Sequence, residues 1–107
     1  MSDAIVETAT IRLKPGVTEQ QLVAASDSFQ RFLAGVNGFL RRELLKDRNG
    51  EYADLVHWRD QASAEAMTAT AGTSSECMAY FALMDLDGVD PAEGVRHYAS
   101  LAAYGAT

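Results

Sequence analysis

The stretch FLRRELLKDRNGEYADLVHWRD, residues 39–60, decides the fold. Asn49-Gly50 stands between two runs, 39–47 and 51–59. Both residues tolerate the positive φ that a tight hairpin turn uses. FLRRELLKD and EYADLVHWR therefore read as paired antiparallel strands, and the rest of the chain is read outward from them.

Upstream, AIVETATIRL (4–13) alternates as a strand does. Ile5, Ala9, Ile11 and Leu13 share one face; Val6, Thr8, Thr10 and Arg12 share the other. Glu7 is the odd member, a carboxylate on the more apolar face. Lys14-Pro15-Gly16 ends the strand. Thr18 and Gln21 then form the S/T-x-x-E/Q box that opens a helix, and Val17 can staple onto Leu22. Leu22, Ala25, Phe29, Phe32, Leu33 and Val36 form its apolar stripe, and Asn37-Gly38 stops it.

Downstream, Asp60 can cap a second helix running to about Thr70, with Ala62, Ala66 and Met67 inward and Gly72 as its break. Thr73-x-x-Glu76 is a second capping box. It opens a short third helix with Met78, Phe81 and Ala82 inward. Residues 86–94 read as a loop and 95–104 as the last strand. The order is β-α-β, then β-α-(α)-β, an α+β class chain on the ferredoxin-like split βαβ plan. That plan gives a four-stranded antiparallel sheet with helices on one face. The other face, with Val6 and Leu40 or Phe39, is left bare. A bare, partly apolar face calls for a partner, and a second copy of the chain is the simplest one.

The chain has 107 residues, which suits a single domain spanning 1–107. Its net charge of −6 argues against nucleic acid and anionic membranes as partners. The densest basic cluster, Arg41, Arg42, Lys46 and Arg48, is interrupted by Glu43 and Asp47. The first residues have neither the basic nor the apolar region of a signal peptide. No apolar run approaches the ~20 residues of a membrane helix. A cytoplasmic protein is the expectation. Cys77, the single cysteine, excludes an internal disulfide and a cysteine-built metal site, and its default state is a buried inert thiol. HxxxH, HExxH, GxSxG and phosphate-loop spacings are absent.

At this point the chain resembles the dimeric α/β-barrel superfamily, and within it the antibiotic-biosynthesis-monooxygenase-like domains. LKPGVTEQQL, VNGFLRRELLKDRNGEY and VHWRDQASAEAM carry the resemblance, which covers nearly the whole chain. It implies a homodimer whose two sheets pack into a barrel, with a pocket in each subunit between sheet and helices. Activities of the superfamily include cofactor-free oxidation of anthrones and quinols, haem degradation, isomerisation, cyclisation and plain ligand binding. The haem-degrading branch implies an asparagine, a tryptophan and a histidine near Ala9, Thr68 and Met78. None of the three matches, so haem degradation is set aside.

In a strand, neighbouring side chains point to opposite faces. His57 and Trp58 therefore cannot share one pocket. Trp58 matches the family's strand-ending tryptophan and reads as a packing anchor whose N–H finds one acceptor, or as a pocket wall. Histidine titrates near neutrality, so His57 and His97 are candidate acid–base groups. The last strand neighbours the first in this fold, which brings His97 toward Glu7. A carboxylate beside an imidazole orients it and raises its basicity. The alternative pairs Glu7 with Arg96 or Arg41. Met78, Tyr80, Phe81 and Met84 read as core or as the lining of an apolar pocket. The reading with most chemistry is an oxygenase needing no metal or flavin, with Glu7, His57 and His97 as candidate catalytic residues and an aromatic substrate. The alternatives are a dimeric module that binds an apolar or aromatic ligand without turnover, and an isomerase or cyclase.

Overall fold

The computed structural model describes residues 4–70, 73–85 and 94–105. Its elements are β1 (Ile5–Ile11), α1 (Glu19–Leu33), β2 (Phe39–Lys46), β3 (Tyr52–Trp58), α2 (Gln61–Thr70), α3 (Ser75–Phe81) and β4 (Val95–Ala99). The strands form one antiparallel sheet in the order β2-β3-β1-β4. This is the ferredoxin-like plan, with β2 and β4 at the edges.

The register assigns every strand residue to a face. Ile5 pairs with Trp58, Glu7 with Val56, Ala9 with Asp54 and Ile11 with Tyr52. These residues face the helices, and Ile5, Ile11, Val56 and Trp58 belong to the core. Val6, Leu55 and His57 fall on the open face. The β2–β3 register shifts between Phe39 and Arg41. The irregularity lets Phe39 meet the Trp58 ring edge-on at 5.9 Å, while Leu40 is left 55% exposed. Of the two residues expected on the bare face, it is therefore Leu40 that is bare.

The β2–β3 turn uses its signal in part. Gly50 has φ +81°, but no non-glycine residue among those described has a positive φ, so Asn49 does not use its tolerance. Asp47 does the remaining work: its carboxylate accepts from the Asn49 and Glu51 N–H groups at 2.8 and 2.9 Å. This is the local bonding by which aspartate favours turns.

The first helix opens as its box predicts. The Gln21 N–H donates to the Thr18 hydroxyl, and the Thr18 N–H to the Gln21 side chain at 2.8 Å. Leu22, Ser26, Phe29 and Leu33 are buried along it, and it ends at Leu33, short of Val36. In α2 the Asp60 carboxylate accepts from both the backbone and hydroxyl of Ser63, at 2.8 and 2.7 Å. That bonding lets Ser63 be buried, and the inward face is Ser63, Ala64 and Met67. Ala62 and Ala66, expected inward, are exposed. A helix this rich in alanine offers little apolar contrast from which to read its orientation.

The third helix is capped one residue later than expected. Ser74, not Thr73, accepts from the Cys77 N–H. One residue turns a helix by about 100°, and the inward side chains are Cys77 and Tyr80. Met78 is 59% exposed and Phe81 37%. Gly72 and the loop at 86–93 lie outside the described residues. The last strand is shorter than 95–104: it ends at Ala99, which pairs with Ile5, and the Ser100 N–H donates to the Ala4 carbonyl. Among the described residues, no helix is long and apolar enough to cross a membrane.

Candidate functional site

Two polar groups stand on the helix-facing side of the sheet, where the pattern would otherwise place apolar residues. The first spans β1 and β4. Glu7 pairs in register with His97, so both side chains fall on one face. His97 Nε2 lies 2.9 Å from Glu7 Oε1. Their side chains are 31% and 19% exposed. The Glu7 contact is thus with His97, not with Arg96 or Arg41. All of β4 is accessible along its edge, so the imidazole can be reached from solvent while Glu7 lies deeper. A neutral imidazole that donates through Nε2–H to Glu7 presents its Nδ1 lone pair elsewhere. Nδ1 makes no hydrogen bond to the described residues. In that tautomer a proton can be accepted at Nδ1.

The second group spans β2, β3 and α3. Arg42 Nη2 lies 2.9 Å from Asp54 Oδ1, with the two side chains only 4% and 8% exposed. The Tyr80 hydroxyl donates to Asp54 Oδ2 at 2.7 Å and accepts from Arg42 Nη2 at 2.9 Å. Arg42 also donates to the Ser26 carbonyl at 3.3 Å and lies 4.9 Å from the centre of the Phe29 ring. Phe29 in turn stacks on Tyr80 at 4.8 Å. Burial pushes the Asp54 carboxyl above its ordinary pKa, against the pull of Arg42 and Tyr80, and the charge of Glu7 adds to the rise. The Tyr80 hydroxyl is pushed up as well, first by burial and then by the Asp54 charge. Each member already has its partners, so this cluster is a wall rather than a reagent.

The sequence-derived candidates separate. Glu7 and His97 come together. His57 does not join them: it pairs with Val6 and Arg41 on the opposite face, because β3 alternates and Trp58 takes the inward side. Trp58 is 1% exposed and Tyr80 fully buried in the core. Phe81 meets Phe29 edge-on at 5.8 Å. Met78 lies on the outer face of α3, so these four residues do not line one pocket. Two surface hollows, of about 300 and 360 Å³, lie elsewhere, along α1 beside Val23 and beside the β2–β3 turn. Trp58 also departs from expectation in its N–H, which is buried without an acceptor among the described residues. Cys77 is buried, and burial pushes its thiol pKa up. Among the described residues, no group of three or more His, Cys, Asp and Glu side chains is arranged to hold a metal ion. Arg42 and Asp54 were missed in the sequence, although both are charged residues at inward positions of adjacent strands.

The strand order and register define a ferredoxin-like α+β fold, a four-stranded antiparallel sheet with helices on one face. No family model matches the chain, and no curated protein does. Solved structures do. SnoaB, a cofactor-independent oxygenase from Streptomyces nogalater, is 18% identical over 97% of each chain, with a TM-score of 0.69. A candidate antibiotic biosynthesis monooxygenase from Caulobacter crescentus is 15% identical, covering 94% of this chain and 92% of its own, with a TM-score of 0.69. A dimeric ferredoxin-like protein of unknown function from Jannaschia is 9% identical over 89% and 95%, with a TM-score of 0.60. At these identities the likeness is one of fold.

Proposed function

We propose that this chain is a homodimeric, cofactor-independent oxygenase of electron-rich aromatic substrates, with His97 as its base and Glu7 as the group that orients it. The observation that carries the reading is the 2.9 Å contact between His97 Nε2 and Glu7 Oε1 on the helix-facing side of the sheet. It leaves Nδ1 to accept a proton, which is the arrangement a general base needs. SnoaB, a cofactor-independent oxygenase of the same fold, supports the reaction class.

An anthrone, a tricyclic ketone with an acidic methylene opposite its carbonyl, illustrates the chemistry. His97 Nδ1 takes a methylene proton, and the electron pair spreads onto the carbonyl oxygen as an enolate. Dioxygen adds at the carbon to give a hydroperoxide. Loss of water then leaves a second carbonyl. One oxygen atom ends in the quinone and the other in water, so the electrons balance with no external reductant. The protein's tasks are deprotonation, orientation and exclusion of water.

A second copy covers the open sheet face. Leu40 and Tyr98 are 55% and 50% exposed there and Leu45 is 40% exposed, an apolar surface unsuited to water. The Jannaschia protein of the same fold is described as dimeric. His57 then lies in the seam between copies.

Dioxygen uptake by chelator-treated protein with freshly reduced quinols and anthrones tests the function. Protein-dependent uptake that His97→Gln abolishes supports it. Uptake unchanged in His97→Gln removes the base assignment. Binding without uptake moves the protein to the ligand-binding or isomerase and cyclase readings.

A further inference from the structure

We propose that the open sheet face meets a second copy of this chain by a half-turn about an axis parallel to the strands, so that Glu43 of each protomer pairs with the partner's Arg96. This rests on the homodimer proposed above and adds to it the residues that fix its orientation.

The register lays the open face out in rows. One row reads Arg41, His57, Val6, Tyr98 across β2, β3, β1 and β4. The next reads Glu43, Leu55, Thr8, Arg96. The centre of this second row is uncharged, and its two ends, on the two edge strands, carry opposite charges. They stand three strand spacings apart, about 14 Å, too far to pair within one chain. Glu43 already meets Arg41 of its own strand. Arg96 is exposed and has no carboxylate within ion-pair distance among the described residues. The face therefore carries an unmatched cation at one edge, and complementarity calls for a surface that brings a carboxylate to it.

This chain brings one itself. A half-turn about an axis between β3 and β1 exchanges the edges, so β2 of one protomer faces β4 of its partner. Glu43 comes to the partner's Arg96, and Arg96 comes to the partner's Glu43. Both contacts form at once, as a two-fold interface requires. The Glu43 carboxylate has two oxygens, one for Arg41 and the other for the partner's Arg96. In the neighbouring row Arg41 comes to the partner's Tyr98, and arginine packs well on aromatic rings. Tyr98 is 50% exposed in the single chain. The half-turn also keeps the strand direction, so the end of β4 lies beside the start of the partner's β2. Leu101, two residues past β4 and 96% exposed, there finds the partner's Leu40 as an apolar neighbour. An axis across the strands instead sets Glu43 against the partner's Arg41, which already has a carboxylate, and leaves Arg96 without one.

Mixing two single variants tests the orientation. Both positions are exposed on their strands, so neither substitution enters the core. Glu43→Arg chains oppose two arginines in their own homodimer, and Arg96→Glu chains oppose two glutamates. The mixed dimer makes two opposite-charge contacts. In native mass spectrometry of an equimolar mixture it should hold about four-fifths or more of the dimers, against about half for random pairing. The double variant, Glu43→Arg with Arg96→Glu, restores both contacts and should dimerise as the wild type does. A mixed dimer at about half overturns the pairing. That is the outcome for an axis across the strands, where the mixed contacts average those of the two homodimers. A double variant that stays a single chain overturns it as well. A wild-type mass of one chain removes the homodimer itself, and the pairing falls with it, while the dioxygen-uptake test of the activity still stands.

Discussion

Replacing Arg42 by methionine isolates the energetic logic of the interior. Met keeps much of the apolar stem but removes the guanidinium, whose centre lies 4.9 and 5.2 Å from the Phe29 and Tyr80 rings. Asp54, 8% exposed at its side chain, is then left with the Tyr80 hydroxyl as its remaining charge-stabilising donor. Removing one partner of a buried ion pair costs about 3–5 kcal/mol. The surviving Tyr80 bond places the expected loss near ~3 kcal/mol at pH 7. For a domain of this length that is a fall of about 13 °C in Tm. The sign of the pH dependence follows from Asp54. Burial raises its carboxyl pKa in the folded protein. Its contribution is therefore fully present below the unfolded value, near ~3.9, and is lost as pH rises through the folded value. Arg42 opposes that rise, so its removal enlarges it, and the deficit of Arg42→Met should shrink as pH falls from 7 toward about 5. Asp54→Asn added to Arg42→Met should recover at least half the loss, because no charge is then stranded. Urea unfolding at fixed chain concentration measures all three chains. A deficit below ~1 kcal/mol at pH 7, or one that does not change with pH, refutes the claim that Asp54 is a buried charge held by Arg42.

Other consequences are narrower. Thr18→Ala removes the hydroxyl half of the α1 capping box and should cost about 1 kcal/mol in the same denaturation assay. Gly38→Ala should cost at least ~1–2 kcal/mol from the left-handed backbone alone, since φ is +88° there. It should cost more in practice because the new Cβ meets the Ser63 side chain; crystallography of the variant should find α2 displaced at that residue. Glu7→Gln keeps the shape beside His97 and removes the charge. It should lower kcat by roughly tenfold, whereas His97→Gln should lower it by about 10²–10⁴-fold, as read by oxygen-electrode kinetics.

Most of the fold was legible because local and periodic signals agreed. Asn49-Gly50, the Thr18–Gln21 box and the alternation of β1 each specify a position, and the ferredoxin-like order follows from their sequence. The Glu7–His97 contact was legible for the same reason: two positions of like parity on strands that the topology makes neighbours. The faces of α2 and α3 were not. The third helix begins in Thr73-Ser74-Ser75, where any of three hydroxyls can cap, and a shift of one residue exchanges Met78 and Phe81 for Cys77 and Tyr80. Arg42 and Asp54 were overlooked because each looks like a surface charge in isolation. Their inward parity on paired strands, with opposite signs, was the available signal. The unpaired Trp58 N–H has no counterpart in the sequence, since an absent partner shows only in three dimensions.

The central claim is that Glu7 and His97 form an oriented base, and proton exchange tests it without involving oxygen. Anthrone incubated anaerobically with the protein in deuterated water exchanges its methylene protons, and mass spectrometry follows the rate. The account predicts protein-dependent exchange that is lost in His97→Gln, reduced in Glu7→Gln and retained in His57→Gln. Exchange that persists in His97→Gln, or that disappears in His57→Gln alone, contradicts it.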